Sequence, residues 1–318
     1  MSMESITLQQ LIKQTIHQYV SSDAHIQSIK SNSVGTGSQA VELLRHYIEF
    51  FVNGVNRDIS LVTKKATFIE RSALSRLSLQ GANVPYSLTN EPHNKDRSLI
   101  CIQDVDYQTD YSHLDINLLQ NKELRALAYI HGTNIGAKKE LPWISNVDRS
   151  HIVDMIETRW RPSWKNAIES PSFIEEFGST LIGEIEAVAS SIANDLETLI
   201  EDEHTHTLIH NDLNPGNVLV HNNEDVYFID WEEARYGSLF FDIPLRCAHM
   251  RQVAIYREAL SSQGYDIPQN QFEKYFSSAS RYLGIRYMSW NLGVWQHSPQ
   301  AKDDLKKYMK MVTKPLFS

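Results

Sequence analysis

The residues of this chain whose types and spacing could do chemistry lie between positions 210 and 230. Asp212 follows His210, Asn217 comes shortly after, and Asp230 ends a later apolar run. Transfer of a phosphoryl group concentrates negative charge on the γ-phosphate, and Mg²⁺ held by a carboxylate and an amide neutralises that charge. A separate carboxylate must accept a hydrogen bond from the attacking hydroxyl and orient it. Asp212 suits the orienting role, and Asn217 and Asp230 suit the metal.

Three short segments around these residues resemble a known family. They read IHNDLNPGNVL at 209–219, IDWEEA at 229–234 and FDI at 241–243. The first matches the kinase catalytic-loop pattern H-x-D-L-x-x-x-N. Together the segments resemble the aminoglycoside phosphotransferase and choline kinase family, whose members are small-molecule kinases with a protein-kinase-like fold. The resemblance implies ATP or GTP as phosphoryl donor and a small-molecule hydroxyl as acceptor, such as an aminoglycoside-type antibiotic or a choline-like metabolite.

The order of apolar patterns predicts a small β-rich N-terminal part and a larger helical part, and the family resemblance implies that these are the lobes of an α+β, bilobal protein-kinase-like fold. A helical pattern at 5–20 is followed by strand patterns with reversals at Gly35–Gly37 and Asn53–Gly54. Beyond residue 104 the pattern is mainly helical, with short strands around the 209–230 block. We therefore expect a small β-rich, nucleotide-binding N-lobe over residues 1–104. A larger, mainly helical C-lobe over residues 105–318 is expected to carry the catalytic loop and the acceptor site.

Two features of the N-lobe are candidate phosphate contacts. Gly35, Gly37 and Ser38 lie between two strand patterns, where glycine would let backbone N–H groups approach a phosphate. Lys64 and Lys65 both end the third strand, and one of them should reach the phosphates and pair with a glutamate. Strand alternation favours Lys64, because it shares a strand face with the apolar Val62.

The family resemblance implies further site residues. Glu70 matches the glutamate of the family's next helix and is the expected partner of Lys64. The backbone from Gln103 to Val105 is expected to contact the nucleotide base. His210 is expected to stabilise the catalytic loop, and Asp242 is expected to accept hydrogen bonds from it.

Composition limits the class of protein. Lys and Arg number 30 against 39 Asp and Glu, a net charge of −9, which argues against a nucleic-acid partner. The two cysteines, far apart in sequence, cannot form a disulfide framework and favour a cytoplasmic protein. No apolar run is long enough for a membrane span, so we expect no membrane partner. Oligomeric state stays open.

Two alternative functions are disfavoured by the sequence, and one group of aromatic residues has two possible roles. A protein-substrate kinase is disfavoured because Asp242 follows Asp230 too closely for a long activation loop. A non-catalytic nucleotide-binding module is disfavoured because a pure binder does not need Asp212. The aromatic stripe lies in the C-terminal helical patterns, where family members bind the acceptor, and consists of Tyr282, Tyr287, Trp290 and Trp295. Its side chains could either pack in the hydrophobic core or line the acceptor pocket.

Overall fold

The computed structural model describes residues 3–36, 42–91 and 96–317. The chain forms two compact units, Met1–Ala126 with Asn214–Ala234, and Leu127–Leu213 with Arg235–Ser318. Among the described residues, no helix is both long and apolar enough to cross a membrane. The functional lobes expected at 1–104 and 105–318 remain a proposal.

The first unit is built on a five-stranded antiparallel sheet. Its spatial order is β1-β2-β3-β5-β4, and the strands are β1 (His25–Thr36), β2 (Glu42–Val52), β3 (Val55–Thr67), β4 (Ser87–Leu88) and β5 (Arg97–Gln103). The predicted reversal at Asn53 and Gly54 is present, and both residues have positive φ, 51° and 80°. Two successive residues of positive φ form the tight hairpin turn that matches the twist of the flanking strands.

Helix α1 (Met3–Tyr19) covers one face of this sheet. Its side chains Leu11, Ile12 and Ile16 are buried in one cluster with Leu61 of β3. Because side chains alternate along a strand, Val62 and Lys64 point to the opposite face from Leu61. The position of α1 therefore leaves the Lys64 face of β3 for other contacts.

Helix α2 (Phe68–Leu79) follows β3 with no intervening loop. Thr67 caps its start, because the threonine hydroxyl accepts a hydrogen bond from the Glu70 N–H at 3.1 Å. The helix ends before Gly81, whose φ of +72° is the left-handed conformation that terminates helices. This tight connection fixes the distance between Lys64 and Glu70.

A second hairpin belongs to the same unit. It consists of β7 (Val218–His221) and β8 (Asp225–Phe228). Asn83, which follows α2, makes two hydrogen bonds to strand β8 of this hairpin. Its side chain donates to the Val226 carbonyl and its own carbonyl accepts from the Phe228 N–H, both at 2.9 Å. The first part of α3 (Ile116–Asn134) also lies in this unit. The residues leading to Asp230 are thereby fixed to the sheet-containing unit.

The second unit is mainly helical. Several of its helices are short, and the chain between 169 and 179 is interrupted by Pro171 and by Gly178, which has a φ of +80°. Its helices are α4 (Arg149–Asp154), α5 (Arg161–Ile168), α6 (Pro171–Phe177), α7 (Ser179–Asp195), α8 (Glu197–Glu201), α9 (Ile243–Arg246), α10 (Met250–Ser261), α11 (Gln269–Asn291) and α12 (Pro299–Thr313).

A short two-stranded ladder carries the catalytic-loop segment of this unit. Strand β6 (His206–Ile209) pairs antiparallel with β9 (Arg235–Ser238). The pattern of β6 was predicted from the sequence, but β9 was not, because Arg-Tyr-Gly-Ser has no apolar alternation. Gly237 is required there, since a Cβ at this position would lie 2.9 Å from Cβ of Val147.

Candidate active site

The segment after β6 is held in place by one buried carboxylate. Asp242 accepts the N–H of His210 at 2.7 Å and the N–H of Asn211 at 2.9 Å. Its Oδ2 also lies 3.2 Å from Nε2 of His131. Burial alone would raise the pKa of Asp242, but the hydrogen bond and charge of His131 and the loop contacts outweigh it and lower the pKa. An ionised acceptor thus fixes the backbone on which Asp212 stands.

His131 was not identified from the sequence. It is fully buried near the end of α3, and its Nδ1 lies 2.7 Å from the Tyr256 hydroxyl. His131 therefore connects Asp242 to α10. Nothing in the sequence distinguishes it from a histidine that simply packs in the core, since its partners lie 111 and 125 residues further along the chain.

Asn211 occupies a backbone conformation that few residues tolerate. Its φ is +62°, in the left-handed region where asparagine is enriched among non-glycine residues. Its side-chain oxygen accepts a hydrogen bond from Arg286 of α11 at 2.7 Å. This conformation turns the chain sharply between His210 and Asp212, and the His210 Nδ1 accepts the Asp212 N–H at 3.3 Å.

Asp212 is half-buried and touches the residue that follows Arg286. The Tyr287 hydroxyl donates to Oδ1 of Asp212 at 2.9 Å. Burial raises the pKa of the Tyr287 phenol well above its ordinary value, with the charge of Asp212 adding to the effect. The phenol therefore keeps its proton and acts as a donor to the carboxylate.

Within the first unit, one lysine joins two carboxylates that are distant in sequence. Lys64 Nζ lies 2.7 Å from Glu70 Oε1 and 2.9 Å from Asp230 Oδ1. We refer to these three residues as the Lys64 cluster. Lys65, in contrast, is exposed. The geometry thus favours Lys64 over Lys65 as the residue that faces the expected nucleotide.

The two partners shape the protonation of the cluster. Burial would lower the pKa of Lys64, but the charges of Glu70 and Asp230 outweigh burial and raise it. Complete burial raises the pKa of Glu70 to about 7, although the Lys64 ammonium opposes this shift. Lys64 is therefore a permanent cation, whereas Glu70 is sensitive to the loss of its partner.

Asp230 and Asn217 are positioned by the β7–β8 hairpin. Asn217 precedes β7, and its carbonyl accepts the Ile229 N–H at 3.0 Å, directly before Asp230. Asp230 has a φ of +64°, and its side chain is 40% exposed. The backbone of Asn217 is thus hydrogen-bonded to the residue that directly precedes Asp230.

The segment expected to contact the nucleotide base is fixed by His221. Its Nδ1 donates to the Val105 carbonyl at 2.8 Å, and the Gln103 N–H donates to the Tyr86 carbonyl at 3.0 Å. The Val105 N–H has no hydrogen-bond partner in the part of the chain that the structure describes. The Val105 N–H is therefore available to a ligand.

Asp104, between these two residues, is also strongly held. Arg45 Nε lies 2.7 Å from Asp104 Oδ2, and the Ser60 hydroxyl donates to the same oxygen. Arg45, Ser60 and His221 could not be identified from the sequence, because their contacts form only when β2, β3 and the β7–β8 hairpin come together.

The comparisons with known proteins include one family model. Residues 122–268 match the model of the phosphotransferase enzyme family, described as "APH: Phosphotransferase enzyme family". This segment is therefore similar to that family. The match includes the catalytic loop and both proposed metal residues, and it confirms the resemblance seen in the sequence. No curated protein is similar in sequence to the chain at a significant level.

Solved structures of phosphotransferases share the fold. Spectinomycin phosphotransferase, in complex with ADP and spectinomycin, has a TM-score of 0.61 and 14% identity, and the match covers 98% of each chain. A microcompartment-associated aminopropanol kinase has a TM-score of 0.56 and 15% identity, over 96% of this chain and 95% of that one. Choline kinase from Streptococcus pneumoniae has a TM-score of 0.51 and 12% identity, over 96% and 98%. The predicted protein-kinase-like α+β fold is confirmed.

Two sequence predictions remain to be compared with the structure, the phosphate loop and the aromatic stripe. Gly35 lies at the end of β1, whereas Gly37 and Ser38 lie outside the described residues, so the phosphate loop stays a prediction. The aromatic stripe is divided. Tyr282 is buried in the core and Trp295 packs edge-on against Phe173 and Phe177, but Trp290 is 74% exposed.

Proposed function

We propose that this protein transfers the γ-phosphoryl group of ATP or GTP to a hydroxyl group of a small molecule. The observation that carries the proposal is the Lys64 cluster, in which Asp230 meets Lys64 and Glu70 although it lies 166 residues beyond Lys64 in sequence. A lysine paired with a helix glutamate and placed beside a metal-binding aspartate is the arrangement that kinases use to hold nucleotide phosphates.

Lys64 would contact the α- and β-phosphates, and Glu70 would keep its ammonium in position. The Val105 N–H would donate a hydrogen bond to the edge of the base. The Val105 carbonyl, in contrast, already accepts a hydrogen bond from His221. Gly35, Gly37 and Ser38 are proposed to contact the phosphates through backbone N–H groups. These roles together describe a nucleotide site in the first unit.

Asp230 and Asn217 are the residues that would hold Mg²⁺. Their oxygen ligands fit this ion, which is usually bound by one or two protein side chains together with phosphates and water. Asp230 is accessible, and its observed contact is through Oδ1 to Lys64. When bound, the ion neutralises the charge that develops on the β- and γ-phosphates.

Asp212 would act on the acceptor. Its carboxylate accepts the hydrogen bond of the acceptor hydroxyl, whose oxygen then bonds to the γ-phosphorus. The bond from this phosphorus to the β,γ-bridging oxygen breaks, the nucleoside diphosphate leaves, and the hydroxyl proton passes to Asp212. His210 and Asp242 are proposed to hold the loop during this step.

Two other functions are less compatible with the structure. A protein-substrate kinase needs a long segment after the metal-binding aspartate, but β9 and two short 3₁₀ turns occupy the stretch between Asp230 and Asp242. A non-catalytic binder has no chemical use for the contact between Asp212 and Tyr287.

The test is an acceptor screen with ATP and GTP in the presence of Mg²⁺. The acceptors are aminoglycosides, macrolides, choline and other amino alcohols, sugars and unfolded protein, and release of nucleoside diphosphate is measured. Release that depends on one small-molecule class and is lost in Asp212→Asn supports the proposal. Tight nucleotide binding without release on any acceptor contradicts it, and release only with protein favours a protein kinase. Together with this function, we propose that the protein is located in the cytoplasm.

A further inference from the structure

Two consecutive residues of α11 contact two consecutive residues of the catalytic loop. Arg286 Nη1 donates to the Asn211 side chain at 2.7 Å, and the Tyr287 hydroxyl donates to the Asp212 carboxylate at 2.9 Å. Arg286 is buried, and its guanidinium lies 5.7 Å from the centre of the Tyr287 ring. The helix thus reaches the loop at both the turn residue and the proposed reactive carboxylate.

We propose that Tyr287 is a positioning residue that holds the carboxylate of Asp212 in the orientation that phosphoryl transfer requires. The proposal rests on the function proposed above. Tyr287 acts through Asp212 and does not itself exchange the transferred group. The acceptor hydroxyl is the ligand whose geometry this contact controls.

The physical reason is the freedom of an aspartate side chain. Asp212 is half-buried, so packing alone does not select one orientation of its carboxylate. A carboxylate offers two oxygens and about four lone-pair sites, so the phenol and an acceptor hydroxyl can both donate to it. Hydrogen bonds to charged groups are stronger than neutral ones, and one such bond at Oδ1 fixes the carboxylate plane.

The helix that carries Tyr287 is itself rigidly packed. Gly284 allows α12 to approach, because a Cβ at this position would lie 2.7 Å from the Tyr308 carbonyl oxygen and 2.7 Å from Val312. The Tyr308 ring lies 5.7 Å from the Tyr287 ring. A donor on such a helix can hold a catalytic group within the narrow tolerance that phosphoryl transfer needs.

The phenol is also suited to remain a donor. Burial raises the pKa of Tyr287 well above its ordinary value, so its hydroxyl keeps its proton at neutral pH. A tyrosine that served only to fill the core would not need a hydroxyl beside Asp212. The contact therefore distinguishes Tyr287 from Tyr282 on the same helix, whose buried ring packs edge-on against Phe241.

The principal test compares Tyr287→Phe with Tyr275→Phe. Tyr275 also lies on α11, and its hydroxyl contacts Gln271 and the Thr198 carbonyl, away from the catalytic loop. We expect Tyr287→Phe to lower kcat about 10- to 100-fold, the range for losing a hydrogen bond to a charged group, with unchanged nucleotide affinity. Tyr275→Phe should leave kcat within about threefold of the parent protein, because this buried hydroxyl contacts no residue of the catalytic loop. An unchanged or higher kcat in Tyr287→Phe overturns the proposal.

A double-mutant cycle separates positioning from a general structural effect. If Tyr287 acts through Asp212, adding Tyr287→Phe to Asp212→Asn should lower kcat by less than about threefold, because coupled residues are not additive. Equal losses in both backgrounds would show that Tyr287 acts elsewhere and would overturn the proposal. Failure of the parent protein to turn over any acceptor would instead reject the proposed function.

A second variant covers the case in which Tyr287→Phe does not fold. A ring-fluorinated tyrosine at this position keeps the shape and the hydroxyl but has a more acidic phenol. The ¹⁹F resonance of this residue reports the pH at which its phenol loses its proton. Above that pH the phenol can no longer donate to Asp212, and kcat should fall where the parent protein shows no fall. A kcat that stays unchanged across this transition would contradict the proposal.

Discussion

Replacing Lys64 by methionine should separate the ion pair of the Lys64 cluster from its packing. Methionine keeps most of the apolar stem but removes the ammonium that lies 2.7 Å from Glu70 and 2.9 Å from Asp230. Glu70, with a side chain only 2% exposed, then loses the charge that opposes its desolvation. Breaking a buried pair in this way costs about 3 kcal/mol of unfolding free energy, at the lower end of the usual range because Asp230 remains accessible.

The cost should depend on pH with a defined sign. Burial already raises the pKa of Glu70 to about 7, and loss of Lys64 raises it further. A carboxyl with a raised folded pKa contributes stability that is present below its unfolded pKa and is lost as the pH rises through the folded value. Lys64→Met should therefore lose less stability at about pH 5.5 than at about pH 8, because Glu70 is protonated at the lower pH.

The assay is urea unfolding at both pH values, followed by the fluorescence of the six tryptophans. Lys65→Met is the matched control, since Lys65 is exposed and should change stability by less than about 0.5 kcal/mol. Adding Glu70→Gln to Lys64→Met should recover stability at the higher pH but not nucleotide affinity. Equal, small effects of the two lysine substitutions, or no recovery in the double variant, would refute the reasoning.

Two further predictions concern the metal and the sheet. Asp230→Asn, which keeps a residue that tolerates the φ of +64°, should abolish the Mg²⁺ dependence of nucleotide binding in calorimetric titrations, and unchanged metal dependence would remove Asp230 from this role. His46 is fully buried between Ser31 and Thr63, and burial lowers its pKa to about 4. A histidine whose pKa is lower in the folded than in the unfolded protein stabilises the fold at pH values above the unfolded pKa. The free energy of unfolding should therefore fall as the pH drops from about 6.5 to 4. It should fall less in His46→Gln, which has no group that titrates in this range. Equal acid slopes in the two proteins would contradict that account.

The sequence was sufficient for features that depend on local chemistry. The pattern from His210 to Asp230 predicted the family resemblance, since the residue types and their order are specific. Asn53-Gly54 predicted the hairpin turn, and strand alternation favoured Lys64 over Lys65, as the Lys64 cluster now also does. Each of these inferences used neighbouring residues and a known backbone or side-chain periodicity.

The contacts that hold the site could not be predicted in the same way. His131 and Tyr287 act across the fold, and their partners are separated from them by 111 and 75 residues. Tyr287 belonged to an aromatic stripe that periodicity alone could not divide into core and site. Strand β9 was missed because its pairing with β6, and not its own composition, makes it a strand. Tertiary packing decided these elements.

The most direct test of the account is the effect of Asp212→Asn on turnover and on nucleotide affinity. Asparagine keeps the shape of the side chain but removes the charge that orients the acceptor hydroxyl and accepts its proton. With the acceptor identified by the screen, kcat should fall by about 10²–10⁴-fold, the usual contribution of a general base, while the affinity for Mg²⁺ and nucleotide stays nearly the same. A variant whose kcat is close to that of the parent protein would contradict the assignment of Asp212 and the phosphotransfer mechanism built on it.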